Sequence, residues 1–274
     1  MVRIIVVFVL LMAYLSDASA QKLSLVSNKT FTHGEKLEYR VYFYSGITGR
    51  VPAGKGELNV RADAFDYNEK PVYHIIAKGW TTGVFRFFAK VDDVLETYID
   101  VKDLVPYHFE RHIRENRYRF DEKILFDQVN HRAVCRDTII QLEDDIHDML
   151  SALYYARIMG STDISPGDSI PIRFFLDDST YVSYVKYDGR DEIETDAGLF
   201  TCKRFKPMVV VGEVFTEDYP ATIWVTDDNN SIPIRIESSL AVGSVRVELV
   251  NYSGVLDLKP MRKYEAWKKA KDTK

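Results

Sequence analysis

Three side chains that can bind a metal ion alternate along one predicted strand: His108, Glu110 and His112. Neighbours at i and i+2 on a strand lie about 7 Å apart on one face, so two of them can share an ion if another strand supplies a third ligand. The nearby Arg111 and Arg114 oppose a divalent cation. We therefore favour a solvated polar face and predict no metal site.

The arginines of the same segment can instead bind anions. The residues Arg114-Glu115-Asn116-Arg117 are typical of a hairpin tip, which would concentrate basic side chains at one end of a sheet. The guanidinium groups of Arg114 and Arg117 suit bidentate contacts with phosphate or carboxylate head groups. The competing interpretation, which we favour, pairs these arginines with carboxylates across the hairpin, such as Asp121.

Large apolar side chains cluster in the segment Trp80-Thr81-Thr82-Gly83-Val84-Phe85-Arg86-Phe87-Phe88. If this segment is extended, Phe87 and Phe88 point to opposite faces, so one of them leaves the main core. It would then cover an apolar ligand or press against a partner or a bilayer surface. The alternative, a second small core beneath a folded-back hairpin, is the one we favour.

The sequence contains two cysteines, Cys135 and Cys202. A single disulfide and two separate buried thiols are both compatible with their spacing, because spacing does not show proximity. Without a Cys-x-x-Cys pair, a zinc or redox centre is not expected.

Common catalytic signatures are absent from the sequence. It has no Gly-x-Ser-x-Gly elbow, no phosphate-binding glycine loop, no His-Glu-x-x-His and no dinucleotide fingerprint. We therefore predict no catalytic residues and no cofactor, although a carboxylate pair acting on envelope polymers stays open as a third function. The net charge of −5, from 36 basic and 41 acidic residues, argues against general nucleic-acid affinity.

The elements that must position these residues are mostly strands. Apolar Leu37, Tyr39, Val41 and Phe43 alternate with charged residues, as expected for a strand with one wet face. Similar segments recur along the chain, separated by turn-forming residues, so neighbouring strands should be antiparallel.

One segment has helical periodicity instead. Its apolar residues predict a helix over residues 144–159, with Asp144 or Asp145 as N-cap and Gly160 as the stop. We therefore predict a mainly β fold, a curved antiparallel sheet (a half-barrel or a two-layer, barrel-like form) with one central α-helix.

The chain divides into three predicted parts. Residues 1–20 have the basic start, apolar run and Ala-x-Ala end of a cleavable secretory signal, so we predict an exported, periplasmic or envelope-associated protein. Residues 21–258 form a single β-rich domain of two similar halves joined by the helix. Residues 259–274 are a basic tail that either contacts an anionic surface or, as we favour, is solvated.

Two resemblances add to this interpretation. The runs Trp224-Val225-Thr226-Asp227 and Ile232-Pro233-Ile234-Arg235 resemble a strand-turn-strand of periplasmic lipoprotein carriers, whose half-barrel holds acyl chains against a helix. Three segments, at 34–39, 148–157 and 243–245, resemble the exported family catalogued as domain of unknown function 3108. The second resemblance implies export and β architecture and brings no activity with it.

The leading prediction is a non-enzymatic protein that binds or carries an apolar or amphiphilic, lipid-like envelope component between sheet and helix. The alternative is a structural scaffold that engages another envelope protein, and peripheral membrane contact is compatible with both. The predicted lining residues of the groove are Trp80, Phe85, Phe87, Leu150, Leu153 and Trp224.

Overall fold

The computed structural model describes residues 28–47, 49–63, 65–208, 221–240, 243–258 and 260–261. The predicted signal over residues 1–20 lies outside the described residues, and so does nearly all of the predicted tail at 259–274. No helix among the described residues has the length and apolar character needed to cross a membrane.

The described chain forms two runs of strands separated by a helix. The first run is β1 (Lys36–Ser45), β2 (Gly49–Val60), β3 (Phe65–Tyr67), β4 (Lys70–Thr81), β5 (Asp92–Asp100), β6 (Pro106–Glu115), β7 (Tyr118–Asp127), β8 (Arg132–Val134) and β9 (Ile139–Gln141). The second is β10 (Ser169–Leu176), β11 (Ser179–Thr195), β12 (Gly198–Pro207), β13 (Ala221–Thr226), β14 (Pro233–Ser239) and β15 (Ser244–Ser253). The helices are α1 (Gly83–Phe88), between β4 and β5, and α2 (Met149–Gly160), between the two runs.

The fifteen strands of the described residues belong to one open antiparallel sheet. Its order is β10-β11-β12-β13-β14-β15-β1-β2-β4-β5-β6-β7-β8-β9, with β3 paired to β4. The first strand therefore lies in the middle of the sheet, hydrogen-bonded to the last. The sheet ends at β10 and β9, which are the strands that α2 connects. The predicted mainly β, antiparallel fold is confirmed.

Alternation along the strands separates a concave, apolar face from a convex, polar one. In β5, Leu95, Thr97 and Ile99 are buried, whereas Glu96 and Tyr98 are only partly buried. Because residues opposite each other in antiparallel strands share a face, each such strand extends the same apolar surface sideways. The concave face packs on α2, which lies mainly against β10 and β5.

The helix α2 begins later than the sequence predicted. Asp148 is the N-cap, and its carboxylate accepts hydrogen bonds from the backbone N–H groups of Leu150 and Ser151, both at 2.8 Å. The Ser151 hydroxyl accepts a hydrogen bond from the Asp148 backbone N–H at 2.9 Å, which completes a capping box. Asp145, with a φ of 58°, is not helical. The predicted N-cap at Asp144 or Asp145 is therefore wrong, because Asp148 satisfies two of the N–H groups at the helix start.

The segment near Phe87 is a second helix and is not extended. Residues Gly83–Phe88 form α1, none of whose residues is buried. Phe87 and Phe88 do not point to opposite faces of a strand, and both are exposed, by 86% and 73%. The expectation of one helix is thus corrected to two in the described part of the chain.

Candidate functional site

An apolar cavity of about 230 Å³ lies between α2 and the concave face of the sheet. One water needs only about 10–15 Å³ of such space, so this volume is far larger than a packing defect. The described residues that line it are mostly aliphatic and come from α2 and from strands of both runs: Val41, Leu58, Ala77, Leu95, Met149, Leu150, Leu153, Ala156, Ile170, Ile172, Val185, Phe205, Ile223, Val225, Ile236, Val245 and Val247 among others.

One face of α2 forms part of the cavity wall. Leu150, Leu153 and Arg157 lie at i, i+3 and i+7, which places them on the same side of the helix, and all three line the cavity. Tyr154 and Ile158, which do not line it, are almost fully buried in the core. The structure thus places Leu150 and Leu153 at the predicted position between sheet and helix.

On the sheet side of the cavity, two glycines leave space that a side chain would otherwise fill. Gly56 of β2 and Gly79 of β4 are direct partners in the sheet, and both line the cavity. A Cβ atom added at Gly56 would contact only the Lys78 carbonyl oxygen and the Tyr39 Cβ, each at 3.7 Å. A larger side chain would therefore extend into the open space. Sequence reasoning missed these glycines, because their pairing depends on the strand register.

The other four predicted lining residues do not line the cavity. Trp80 follows Gly79 on its strand and so faces the other side of the sheet, where it borders a second groove with Glu38 and Lys55. Phe85 lies on α1, with its ring centroid 5.7 Å from that of Phe43.

Phe87 and Trp224 are also elsewhere. Phe87 is exposed to solvent on α1. Trp224 stands between the lining residues Ile223 and Val225, and its indole N–H donates to an Asp191 carboxylate oxygen at 2.8 Å. Strand alternation therefore turns both predicted tryptophans away from the cavity.

A buried ion pair fixes α2 to the sheet beside the cavity. The Arg157 guanidinium donates to the two carboxylate oxygens of Glu35 at 2.6 and 2.8 Å, and each side chain is 1% exposed. Arg157 also donates to the Asn230 carbonyl oxygen at 3.1 Å. Burial opposes its charge, but the attraction of Glu35 raises the pKa of Arg157 overall. Because the pair is neutral as a whole, Arg157 presents no net positive charge to the cavity that it lines.

Further polar groups are buried, one next to this pair and the others at the start of α2. The Tyr39 hydroxyl has no hydrogen-bond partner in the described structure, and burial raises the pKa of Tyr39. The Thr97 hydroxyl donates to the Asp148 carboxylate at 2.5 Å, and burial raises the pKa of Asp148 to about 6. The neighbouring His147 has a pKa lowered to about 3 by burial.

The predicted anion-binding arginines flank a hairpin tip, as expected. Arg114 donates to Asp121 at 2.5 Å and to the carbonyl oxygens of Ile113 and Phe120, so its guanidinium is engaged within the hairpin. Hydrogen bonds with His112 and with Arg114 lower the pKa of the Asp121 carboxyl, and the contribution of His112 is the larger. Arg117 is exposed at the tip. Anion binding by Arg114 and Arg117 stays a prediction.

The remaining candidate residues are two histidines, each beside a carboxylate, and two cysteines that do not form a disulfide. His108 lies 2.9 Å from Glu110, and His112 lies 2.6 Å from Asp121. Among the described residues, no group of three or more metal-binding side chains comes together. Cys135 and Cys202 are free cysteines, so of the two alternatives the structure has separate thiols. Burial raises the pKa of each thiol to about 12.

A family model described as a protein of unknown function, DUF3108, matches residues 38–250. The chain belongs to this family. The DUF3108 match begins within β1, ends within β15 and contains all of α2, so it includes both walls of the cavity. A comparison with curated protein sequences gives no match.

One solved structure supports the fold of this DUF3108 protein, and two others are less similar. A β-barrel-like protein of domain of unknown function DUF1849 from Brucella abortus is similar, with a TM-score of 0.54 and 10% identity, over 84% of this chain and 100% of that one. A protein named as exported, with a YmcC-like fold, from Bacteroides fragilis has a TM-score of 0.36 and 10% identity, over 82% and 97%. A protein named as a lipoprotein from Parabacteroides distasonis has a TM-score of 0.35 and 10% identity, over the same shares.

Proposed function

We propose that this DUF3108 protein binds an apolar or amphiphilic, lipid-like molecule in the cavity between α2 and the sheet, without catalysing a reaction. The observation that carries the proposal is the cavity itself, about 230 Å³ of space with a mostly hydrocarbon wall. An apolar wall left in contact with water is unfavourable, and covering it recovers roughly 25 cal/mol per Å². A hydrocarbon ligand supplies that cover.

The charges near the cavity favour a ligand whose buried part is uncharged. Lys55, Glu57 and Lys78 also border it, but they alternate with the lining residues Gly56 and Gly79, so their side chains point to the other face of the sheet. Arg157 is neutralised by two hydrogen bonds to Glu35, so it offers no free charge to an anion. Moving an ionised head group into such a wall without a partner is costly. The acyl or other apolar part of the ligand therefore occupies the cavity, and any charged head group stays near solvent.

We further propose that the protein acts in the cell envelope. The support is the signal-like segment at residues 1–20. An exported protein that shelters an apolar molecule fits the aqueous space between membranes, where such molecules cannot travel freely.

The first test is to look for a bound molecule directly. The full protein is purified without detergent, and its mass is measured under native conditions before and after solvent extraction. We expect an additional mass that extraction removes. A protein that carries no additional mass and binds no apolar probe would instead support the alternative, a scaffold with no small ligand.

The second test fills the cavity. Gly56→Leu places a side chain into the open space, whereas Gly46→Leu makes the same change where an added Cβ meets nothing within 4 Å. We expect Gly56→Leu to weaken binding of the apolar dye N-phenyl-1-naphthylamine by roughly tenfold or more, since a misfit of a single methylene in a hydrophobic pocket costs about 10–200-fold. Gly46→Leu should bind like the wild type. Equal binding by all three proteins would place the dye outside the cavity and refute the proposal.

A further inference from the structure

The short helix α1 exposes an apolar face to solvent. Val84, Phe87 and Phe88 lie at i, i+3 and i+4, which places them on one side of the helix. Their exposed fractions are 68%, 86% and 73%. Scattered exposed apolar residues are ordinary, but three on one face of one helix make a patch, and such patches mark interaction sites.

This helix stands at the rim of the cavity. Phe43 is the direct partner of the lining residue Val245 in the sheet, so the two side chains share the concave face. Phe85 of α1 packs on Phe43, and the Thr82 backbone N–H donates to the Ala53 carbonyl oxygen at 3.0 Å. The helix is thus held against the sheet on one side and exposes its apolar face on the other.

Basic side chains surround the same helix. The tip of the β6–β7 hairpin is bonded to the chain just after α1, since the Asn116 N–H donates to the Lys90 carbonyl oxygen at 2.7 Å and the Lys90 N–H donates to the Asn116 side chain at 2.9 Å. Exposed Arg117 is therefore close to α1. Arg86 hydrogen-bonds Asp92 and is the main cause of the lowered pKa of that carboxyl.

Two more cations act on the same carboxylate. Lys90 and Arg119 also lower the pKa of Asp92 through their charges. Around α1, the four cations Arg86, Lys90, Arg117 and Arg119 outnumber the three carboxylates of Asp92, Asp93 and Glu115. Asp93 is 1% exposed, so the exposed surroundings of the apolar face are positive.

We propose that α1 and the β6–β7 tip form a surface that docks the protein on an anionic lipid bilayer. We call it the α1 surface, defined by Val84, Phe87, Phe88, Lys90 and Arg117. Aromatic side chains partition into the interfacial region of a bilayer, and basic side chains nearby are attracted to anionic head groups. The combination of an apolar helix face with a positive border fits this partner better than an uncharged protein surface. The inference concerns the outside of the molecule and does not depend on what the cavity holds.

The test is binding to vesicles of phosphatidylcholine, with and without phosphatidylglycerol, measured by flotation of the full protein. We expect binding to the anionic vesicles that weakens as salt is raised, and much less binding to phosphatidylcholine alone. Replacing both phenylalanines, in Phe87→Ser/Phe88→Ser, should weaken binding roughly tenfold or more. Lys90→Glu/Arg117→Glu should remove the preference for anionic vesicles.

Matched controls separate this surface from general stickiness. Val129→Ser and Ile139→Ser change side chains that are 78% and 62% exposed elsewhere, and they should bind vesicles like the wild type. Thermal unfolding of every variant shows whether it is folded. The proposal is overturned if the wild type does not bind anionic vesicles, or if the double phenylalanine variant binds as well as the controls. A wild-type dimer in solution that the phenylalanine variant abolishes, without vesicle binding, would assign the surface to a second copy instead.

Discussion

Two adjacent buried residues, His147 and Asp148, should give the stability of this protein two opposing pH dependences. Burial lowers the pKa of His147 from 6.5 to about 3, and it raises the pKa of Asp148 from 3.8 to about 6. As the pH falls below 6.5, His147 becomes protonated in the unfolded chain but stays neutral in the folded protein, so the free energy of unfolding falls. As the pH falls through 6, folded Asp148 takes up a proton that the unfolded chain does not bind until about 3.8, so stability rises.

The magnitude follows from the width of the shared window. Each pH unit in which one proton is bound in only one state changes the free energy of unfolding by about 1.4 kcal/mol. Both groups act between about pH 6 and pH 4, where each contributes about 2.7 kcal/mol with opposite sign. In the wild type the two contributions nearly cancel. Removing one group should expose the other.

The assay is urea unfolding at several values between pH 6 and pH 4 for the wild type, His147→Gln and Asp148→Asn. Asparagine also caps helices, so Asp148→Asn keeps the helix start while removing the titration. Relative to the wild type, His147→Gln should gain about 2.7 kcal/mol of stability on going from pH 6 to 4, and Asp148→Asn should lose about as much. Differences from the wild type that stay constant across this window would refute the reasoning.

Three further predictions concern buried polar groups and the thiols. Breaking the buried ion pair from one side, by Glu35→Leu or Arg157→Met, should cost about 3–5 kcal/mol of unfolding free energy in urea titrations, while the double variant should recover most of the loss. A double variant less stable than both single variants would contradict this. Tyr39→Phe removes an unpaired buried hydroxyl and should leave thermal stability unchanged or raise it by about 1 kcal/mol, whereas a clear loss would mean that the hydroxyl is bonded. Added reductant should not change the melting temperature, because Cys135 and Cys202 are free, and a fall would reveal a disulfide.

The sequence predicts the strands of this fold well, because alternation is a local signal. The alternation of Leu37 and Tyr39 with charged neighbours is enough to place β1 and its buried face. The periodicity of the apolar residues also predicts α2, but it does not predict where α2 begins, because several acidic residues before it are suitable N-caps. The serine three residues after Asp148, which completes the capping box, is the signal that distinguishes Asp148 from Asp144.

The cavity is harder to predict than the elements around it. Choosing large aromatic residues as its lining gives Trp80 and Trp224, which strand alternation turns outward. Part of the wall is open because Gly56 and Gly79 have no side chains. Their pairing across β2 and β4 cannot be recognised without the register of the two strands. The ion pair of Glu35 and Arg157 joins residues far apart in the chain, and local patterns carry no information about such a contact.

The pairing of β1 with β15 has a consequence for how the molecule assembles. The strands on either side of the β1–β15 pair cannot join into one sheet until β15 has been synthesised. Folding therefore depends on contacts between residues far apart in the sequence and should be slow. At the end of this pair, a Cβ atom added to Gly254 would lie 2.1 Å from the Gly34 carbonyl oxygen, so the two ends of the domain touch. A circular permutant that links these ends and opens the chain at an exposed turn would retain every ladder of the sheet and turn its latest contact into a local one.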